Sequence, residues 1–145
     1  MEDRIWFEYT LQDAWHWPVS YIRITEGEKP EVICWTSQER RFFEIREETM
    51  NRIKERMMRL ELKEPESPFV TGLAVSDGVI NVFAVFNGKT RREHTVYNLG
   101  VYMGHEAQCP NAAEYLRLLE ELEELLEPYG VPGSFFLTDY PEEEE

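Results

Sequence analysis

The sequence predicts a single α+β domain, built from a mainly antiparallel sheet with two helices packed on it. Three observations favour this class: short runs rich in β-branched and aromatic residues, two segments with helical spacing of apolar residues, and turn dipeptides between apolar runs. The predicted order of elements is ββββαβββα. Because strands do not alternate with helices, a parallel doubly wound fold is not expected.

Four strands are predicted in the first third of the chain. They cover residues 4–10, 19–25, 31–36 and 40–46. In the first of them Ile5, Phe7 and Tyr9 lie on one side, since successive side chains of a strand alternate between its faces. The segment 26–30 contains Gly27 and Pro30 and is typical of a turn.

Two segments have the apolar spacing of an amphipathic helix. The first covers residues 48–62, and its predicted buried face is Met50, Ile53, Met57 and Leu60. The second opens at Asn111, which we expect to cap the helix with Glu114 at the capping-box position. Its predicted apolar stripe is Tyr115, Leu119, Leu122, Leu126 and Tyr129. A last short strand is predicted over 134–140.

The dipeptides Asp77-Gly78 and Asn87-Gly88 favour tight hairpin turns. They predict a three-stranded meander at about 70–98, with strands over 70–76, 79–86 and 89–98. A two-residue turn at Asn87-Gly88 would place Asn81 opposite His94 on one sheet face. Because their neighbours are apolar, Asn81 and His94 form either a binding site or a polar pair at the sheet edge whose hydrogen bonds are made within the protein.

Length and composition fit one domain over 1–145, with a frayed acidic tail at about 141–145. The two cysteines, Cys34 and Cys109, do not form a disulfide framework. The N-terminal residues lack the basic and apolar regions of a signal peptide, and no apolar run reaches the roughly 20 residues of a membrane span. We therefore expect a cytoplasmic protein with free thiols.

The formal net charge is −14, and most of it lies at one end of the chain. Residues 106–145 hold 12 acidic side chains and a single base, Arg117, which is a net charge of −11. Such a field repels nucleic acid and anionic membranes and attracts basic proteins. The expected partner is therefore a basic protein. We expect this chain to bind neither nucleic acid directly nor a membrane.

Seven residues are candidates for binding this partner: Glu120, Glu121, Glu123, Glu124, Glu127, Trp15 and Trp17. The glutamates repeat at like-charge i,i+4 spacings without lysines between them, which destabilises an isolated helix. They form either a solvated face or an electrostatic docking surface. The two tryptophans belong to a dense aromatic segment in a loop or at a strand entry, and there they are either interface anchors or cover for the loop and core.

Catalytic and metal signatures are absent from the sequence. The soft ligands His16, His94, His105, Cys34 and Cys109 lack zinc-site spacing, so no metal or cofactor is expected. Cys109 beside a helix start is either a nucleophile or a packed small side chain. Together with Asn81, Arg92 and His94 it forms the alternative ligand-binding set.

These observations predict an acidic protein-binding module, of inhibitor or immunity type, that covers a basic and possibly nucleic-acid-binding surface of its partner. The layout of hairpins, the turn 108–111 and a leucine–glutamate helix resembles small bacterial immunity-type proteins in architecture, without a shared motif. The alternative is a small-molecule-binding protein or small enzyme using Asn81, Arg92 and His94. A monomer or a homodimer is expected, and Leu116, which lies off the main stripe, is the candidate dimer residue.

Overall fold

The computed structural model describes residues 4–13, 15, 17–67 and 79–136. These residues form a six-stranded antiparallel sheet and two α-helices, which confirms the predicted α+β class. The strands are β1 (Arg4–Gln12), β2 (Pro18–Glu26), β3 (Glu31–Thr36), β4 (Arg40–Glu44), β5 (Ile80–Phe86) and β6 (Arg91–Tyr97). The helices are α1 (Glu47–Arg59) and α2 (Pro110–Leu126). Within these residues, no helix has the length and apolar character needed to cross a membrane.

The strand order in the sheet is β4-β3-β2-β1-β5-β6. The first four strands form a meander, and β5 then lies antiparallel to β1, on the side that β2 leaves open. The sequence pattern did not predict this pairing. Since β5 pairs with β1 on one side and with β6 on the other, both of its edges are hydrogen-bonded to neighbouring strands. The strand predicted over 70–76 lies outside the described residues.

The β5–β6 connection differs from the predicted two-residue turn. Phe86 pairs with Arg91, so four residues connect the strands. The Asn87 side chain causes this, because its Oδ1 accepts the backbone N–H groups of Lys89 and Thr90, both at 2.9 Å. The predicted opposition of Asn81 and His94 is therefore wrong.

In the observed register Phe83 lies opposite His94, and Asn81 lies opposite Val96. The shift equals two residues, which preserves the face on which each side chain lies. Asn81 and His94 therefore lie on the same sheet face as diagonal neighbours, since His94 is opposite Phe83, two residues along β5 from Asn81.

The core lies between the helices and one face of the sheet. From α1, the predicted Met50, Ile53 and Met57 are buried. From α2, Tyr115 packs its ring against Phe83 at 5.1 Å between centroids. Fully burying an apolar side chain of this kind contributes roughly 1.5–3 kcal/mol, so these two stripes hold the helices on the sheet. Leu116 is half-buried and packs against the same core.

The start of α2 differs from the predicted capping box. The helix begins at Pro110, a residue suited to a first turn because it has no N–H to satisfy. Asn111 is therefore inside the helix, and its side chain donates to the Glu64 carbonyl at 3.1 Å. The cap comes from Glu66, whose carboxylate accepts the backbone N–H of Asn111 at 2.9 Å and of Ala112 at 3.0 Å.

The end of the described chain also differs from the prediction. Residues Gly133–Phe136 form a 3₁₀ turn, so the first part of the strand predicted over 134–140 is helical. Phe135 and Phe136 are buried in the core, which accounts for the apolar run that suggested a strand. The remainder of that segment and the predicted frayed tail lie outside the described residues.

Candidate binding surfaces

The connection between β1 and β2 is organised by Asp13. Its Oδ1 accepts the backbone N–H groups of Trp15 and Trp17, both at 2.9 Å. Its own backbone N–H donates to the Trp17 carbonyl, also at 2.9 Å. A short carboxylate side chain is well suited to this role, since it reaches backbone groups a few residues on. We call residues 13–17 the tryptophan loop.

The two tryptophans of this loop lie in solvent. Trp15 is 81% exposed and Trp17 is 70% exposed. Tryptophan has the largest apolar surface of any side chain, and a pair left uncovered marks a surface that another molecule can bury. Both candidates therefore face away from the core, and Asp13 fixes the backbone that carries them. The intervening His16 lies outside the described residues.

A second aromatic surface lies on the sheet face opposite the helices. Tyr21, Arg23, Ile33, Trp35 and Arg40 line a shallow depression of about 360 Å³ there. Because the β1–β2 and β3–β4 connections of an antiparallel meander lie at one end of the sheet, Trp35 and the tryptophan loop share that end. This surface is not among the sites predicted from the sequence.

A signal for this aromatic surface was present in the third strand. Val32, Ile33, Cys34 and Trp35 are all apolar, whereas a strand with one solvated face alternates apolar and polar residues. The run therefore indicates apolar side chains on both faces of β3.

Towards β1 the open sheet face becomes polar and internally paired. The Tyr21 hydroxyl donates to Glu8 Oε2 at 2.6 Å, and Arg91 donates to Glu8 Oε1 at 3.1 Å. Burial and the hydrogen bond to Glu8 raise the pKa of Tyr21. The phenol is therefore a fixed donor at all ordinary pH values, and Glu8 is already satisfied.

The acidic side chains of α2 divide into two groups. Glu120 and Glu124 of α2, together with Glu127 in the 3₁₀ turn that directly follows it, are exposed and are spaced by four and three residues. Within the described ranges they form no ion pair, and the last turn of α2 contains no basic residue. We call these three residues the acidic ridge. Glu123 is exposed beside it, with its carboxylate against Gly133.

Glu121 belongs to the second group. It forms an ion pair with Arg56 of α1, which also binds Glu114 at 2.7 Å. The Arg56 side chain is only 16% exposed. Burial lowers the pKa of this guanidinium, but the hydrogen bonds that it donates to the two carboxylates outweigh burial and leave the pKa raised. Glu121 is thus part of the contact between the helices.

The alternative ligand-binding set is only partly brought together. Arg92 and His94 line a groove of about 210 Å³ beside Leu60 and Leu62. Burial and the charge of Arg92 lower the pKa of His94, whose ring lies 6.2 Å from the Tyr115 ring. A neutral imidazole and one guanidinium could hold a small anion, but this volume is below the ~300–1,000 Å³ of most ligand pockets.

Asn81 and Cys109 have structural contacts elsewhere. Asn81 is fully buried, donates to the Tyr9 hydroxyl at 3.3 Å and accepts the Leu99 backbone N–H at 3.2 Å. Cys109 is buried at the start of α2, where burial raises the pKa of its thiol. A thiol with a raised pKa is a poor nucleophile at neutral pH.

No group of three histidine, cysteine, aspartate or glutamate side chains with metal-binding geometry occurs in the part of the chain that the structure describes. Comparison with protein-family models, with curated proteins and with solved structures gives no match for this chain.

Proposed function

We propose that this protein is a binding module whose partner is a protein with a basic surface. The observation that carries the proposal is the exposure of Trp15 and Trp17, at 81% and 70%, together with the Asp13 carboxylate that accepts the backbone N–H of each. Tryptophan is among the residues most enriched at interface hot spots. A loop already fixed in the free protein loses little conformational entropy on binding, so each buried ring contributes more to affinity.

The charge distribution supports the choice of a basic partner. The acidic ridge has no internal counter-ions among the described residues, in contrast to Glu121, which Arg56 neutralises. Carboxylates near a helix C-terminus also face the negative end of the helix dipole. A cationic surface relieves the repulsion among these carboxylates and their repulsion by the helix dipole. The net charge of −14 also accelerates the approach of such a surface.

The tryptophan loop and the acidic ridge have different roles in this proposal. The loop lies at one end of the sheet, whereas the ridge lies on the helix layer. We assign anchoring to the loop and attraction to the ridge. A basic surface that normally binds nucleic acid matches this field, and a protein that covers such a surface acts as an inhibitor or immunity protein.

The test is affinity capture from a host-cell lysate with elution by salt steps. One variant carries Glu120→Lys, Glu124→Lys and Glu127→Lys. The matched control carries Glu28→Lys, Glu55→Lys and Glu93→Lys, which make the same change in net charge at exposed positions outside α2. We expect wild type and control to retain the same basic protein, and the ridge variant to lose it.

Two outcomes of the capture experiment contradict the proposal. Equal retention by the ridge variant removes the ridge from binding. If the ridge variant and the control lose the captured protein equally, the attraction is a non-specific effect of net charge. A further variant with Trp15→Ala and Trp17→Ala tests the anchor, and unchanged retention by it removes the loop.

We also propose a second, alternative function, favoured by the groove beside Arg92 and His94: binding of a small anion. Inorganic phosphate is the probe, and the His94 ring resonances in NMR spectra are the readout. A bound anion raises the pKa of His94, and Arg92→Gln removes that rise. An unchanged titration curve at saturating phosphate excludes the groove as an anion site.

A further inference from the structure

Among the residues that the structure describes, no strand pairs with the outer edge of β4, and the charges along this edge have an unusual order. Its sequence is Arg40-Arg41-Phe42-Phe43-Glu44, and it lies at the end of the sheet beyond β3. The Thr36 N–H donates to the Glu39 carbonyl at 2.8 Å, and the Ile45 N–H donates to the Pro30 carbonyl at 3.0 Å. Hydrogen-bonded residues alternate along an antiparallel strand, and Glu39 and Ile45 both bond toward β3. The backbone N–H and C=O groups of the odd-numbered residues of β4 therefore point to β3. The backbone groups of Arg40, Phe42 and Glu44 therefore point to the open edge.

We propose that β4 pairs antiparallel with β4 of a second copy of this chain, about a two-fold axis at Phe42. In this register Phe42 lies opposite its own copy, and Arg40 lies opposite Glu44 of the second copy. All three residues have backbone groups pointing outwards, so their N–H and C=O groups pair across the axis. The result is one continuous sheet made from two chains, a closed isologous dimer.

Charge complementarity selects this occupant and this register. Arg40, Phe42 and Glu44 lie on the same sheet face, because they alternate along the strand. The two-fold axis therefore places one Arg40–Glu44 pair on each side of the central phenylalanines. The only ion pair of Glu44 among the described residues is with Lys29 at 3.5 Å, and both side chains are more than 60% exposed. Such an exposed pair is weak and is easily exchanged for one across the axis.

The aromatic side chains of β4 fit the same arrangement. Phe42 is 57% exposed, and in the dimer it is covered by its own copy. On the other sheet face the Arg41 guanidinium lies 5.0 Å from the Phe43 ring. The proposed register places Arg41 opposite Phe43 of the second copy, so this cation–π contact is also available across the axis.

The opposite edge of the sheet lacks this complementarity when β6 pairs with itself about its central residue, His94. On β6 the outward backbone groups belong to odd-numbered residues, because Asn98 N–H donates to the Val79 carbonyl at 2.9 Å and so places even-numbered residues toward β5. Self-pairing about His94 would place Arg91 opposite Tyr97 and Glu93 opposite Thr95, without any ion pair. Edge charges usually prevent strand addition. On β4 they are ordered so that antiparallel self-pairing is favoured.

Sedimentation equilibrium over a micromolar concentration series tests the proposal. We expect wild type to form a reversible dimer of the weak class typical of a small interface. Arg40→Glu and Glu44→Arg each place like charges opposite each other, so each raises the dimer dissociation constant about tenfold or more. The double variant restores opposite charges in the reverse order and therefore restores the dimer. Arg91→Glu and Glu93→Arg on β6 are the matched controls, and they leave association unchanged.

A backbone variant tests the strand pairing itself. Phe42→Pro removes an N–H that points to the open edge and leaves the ladder to β3 intact, so it abolishes the dimer without changing the circular dichroism spectrum. A wild type that stays monomeric at every concentration overturns the proposal. A dimer that tolerates Glu44→Arg, or one that the double variant fails to restore, overturns it as well. None of these results depends on the binding partner.

Discussion

The carboxylate of Glu66 caps α2 by accepting the backbone N–H of Asn111 at 2.9 Å, although the two residues are 45 positions apart. The same carboxylate accepts the Ala112 N–H at 3.0 Å. A carboxylate at this end of a helix satisfies free N–H groups and meets the positive end of the helix dipole. The extended segment after α1 is thereby tied to the start of α2.

Removal of this cap is expected to destabilise the protein. Glu66→Ala leaves two helix N–H groups without their partner and lowers the free energy of unfolding by about 1 kcal/mol. Guanidinium denaturation at neutral pH measures the loss. Glu64→Ala is the control, since Glu64 contributes its backbone carbonyl to Asn111 and its side chain is exposed. An equal loss in both variants contradicts the cap.

The cap also makes stability depend on pH. Burial raises the pKa of Glu66, but the hydrogen bonds from Asn111 and Ala112 outweigh it and leave the pKa below 4.5, the ordinary value. A lowered folded-state pKa contributes stability that is present above the unfolded value and is lost as pH falls through the folded value. The stability difference between wild type and Glu66→Gln should therefore shrink in acid, and a pH-independent difference contradicts the assignment.

Arg56 is expected to be essential for the contact between α1 and α2. Arg56→Met leaves the carboxylates of Glu114 and Glu121 close together without their shared cation, which should cost about 2 kcal/mol of unfolding free energy. Thermal or denaturant unfolding measures this cost. Arg52→Met, on an exposed position of the same helix, should change stability by less than about 0.5 kcal/mol. Similar losses in the two variants would show that the ion pairs contribute nothing specific.

The acidic ridge is expected to lower the stability of the free protein. Glu124→Lys replaces a repelled carboxylate by a cation near the C-terminus of α2, and should raise the unfolding free energy by about 0.5–1 kcal/mol. Glu55→Lys in the middle of α1 should give no such gain. Added salt should raise the melting temperature of wild type more than that of Glu124→Lys. A destabilised Glu124→Lys contradicts this account, whereas a gain in stability with a loss of binding is the pattern of a functional surface.

Asp13 is expected to control the order of the tryptophan loop. Asp13→Ala removes the acceptor of two backbone N–H groups in an exposed loop, so it favours local opening of the loop and leaves the sheet and core intact. Amide hydrogen exchange at Trp15 and Trp17 should become at least about tenfold faster, with the melting temperature almost unchanged. Asp13→Asn keeps an acceptor at the same position and should restore most of the protection. Equal exchange in wild type and Asp13→Ala contradicts the role of Asp13.

Local patterns predicted most of the elements but not how distant ones meet. Alternation predicted β1, runs rich in β-branched and aromatic residues predicted β2 to β4, and the helical period predicted the buried faces of α1 and α2. The place of β5 beside β1 was not predicted, because the period of a strand does not identify its neighbour. The hairpin register was missed for a local reason: the Asn87 side chain stabilises a four-residue connection in place of the tight turn that Asn87-Gly88 usually forms.

The candidate sites show the same division. The sequence identified Trp15 and Trp17 because they form a dense aromatic segment at a strand entry, and both are exposed. It could not separate Glu121 from Glu120, since the difference is the position of Arg56 on another helix. Asn81 stood out as a polar residue among apolar ones, but it donates to Tyr9 and accepts from Leu99, which are both distant in sequence.

The position of β5 between β1 and β6 has a consequence for synthesis on the ribosome. The chain emerges from its N-terminal end, so the meander of β1 to β4 is complete while β1 is still the outer strand of an unfinished sheet. Until α1 and β5 have been translated, the free N–H and C=O groups of β1 are open to any passing strand, and Tyr9 lacks its contact with Phe83. A strand from the interior of the mature sheet is thus an exposed edge of the nascent one.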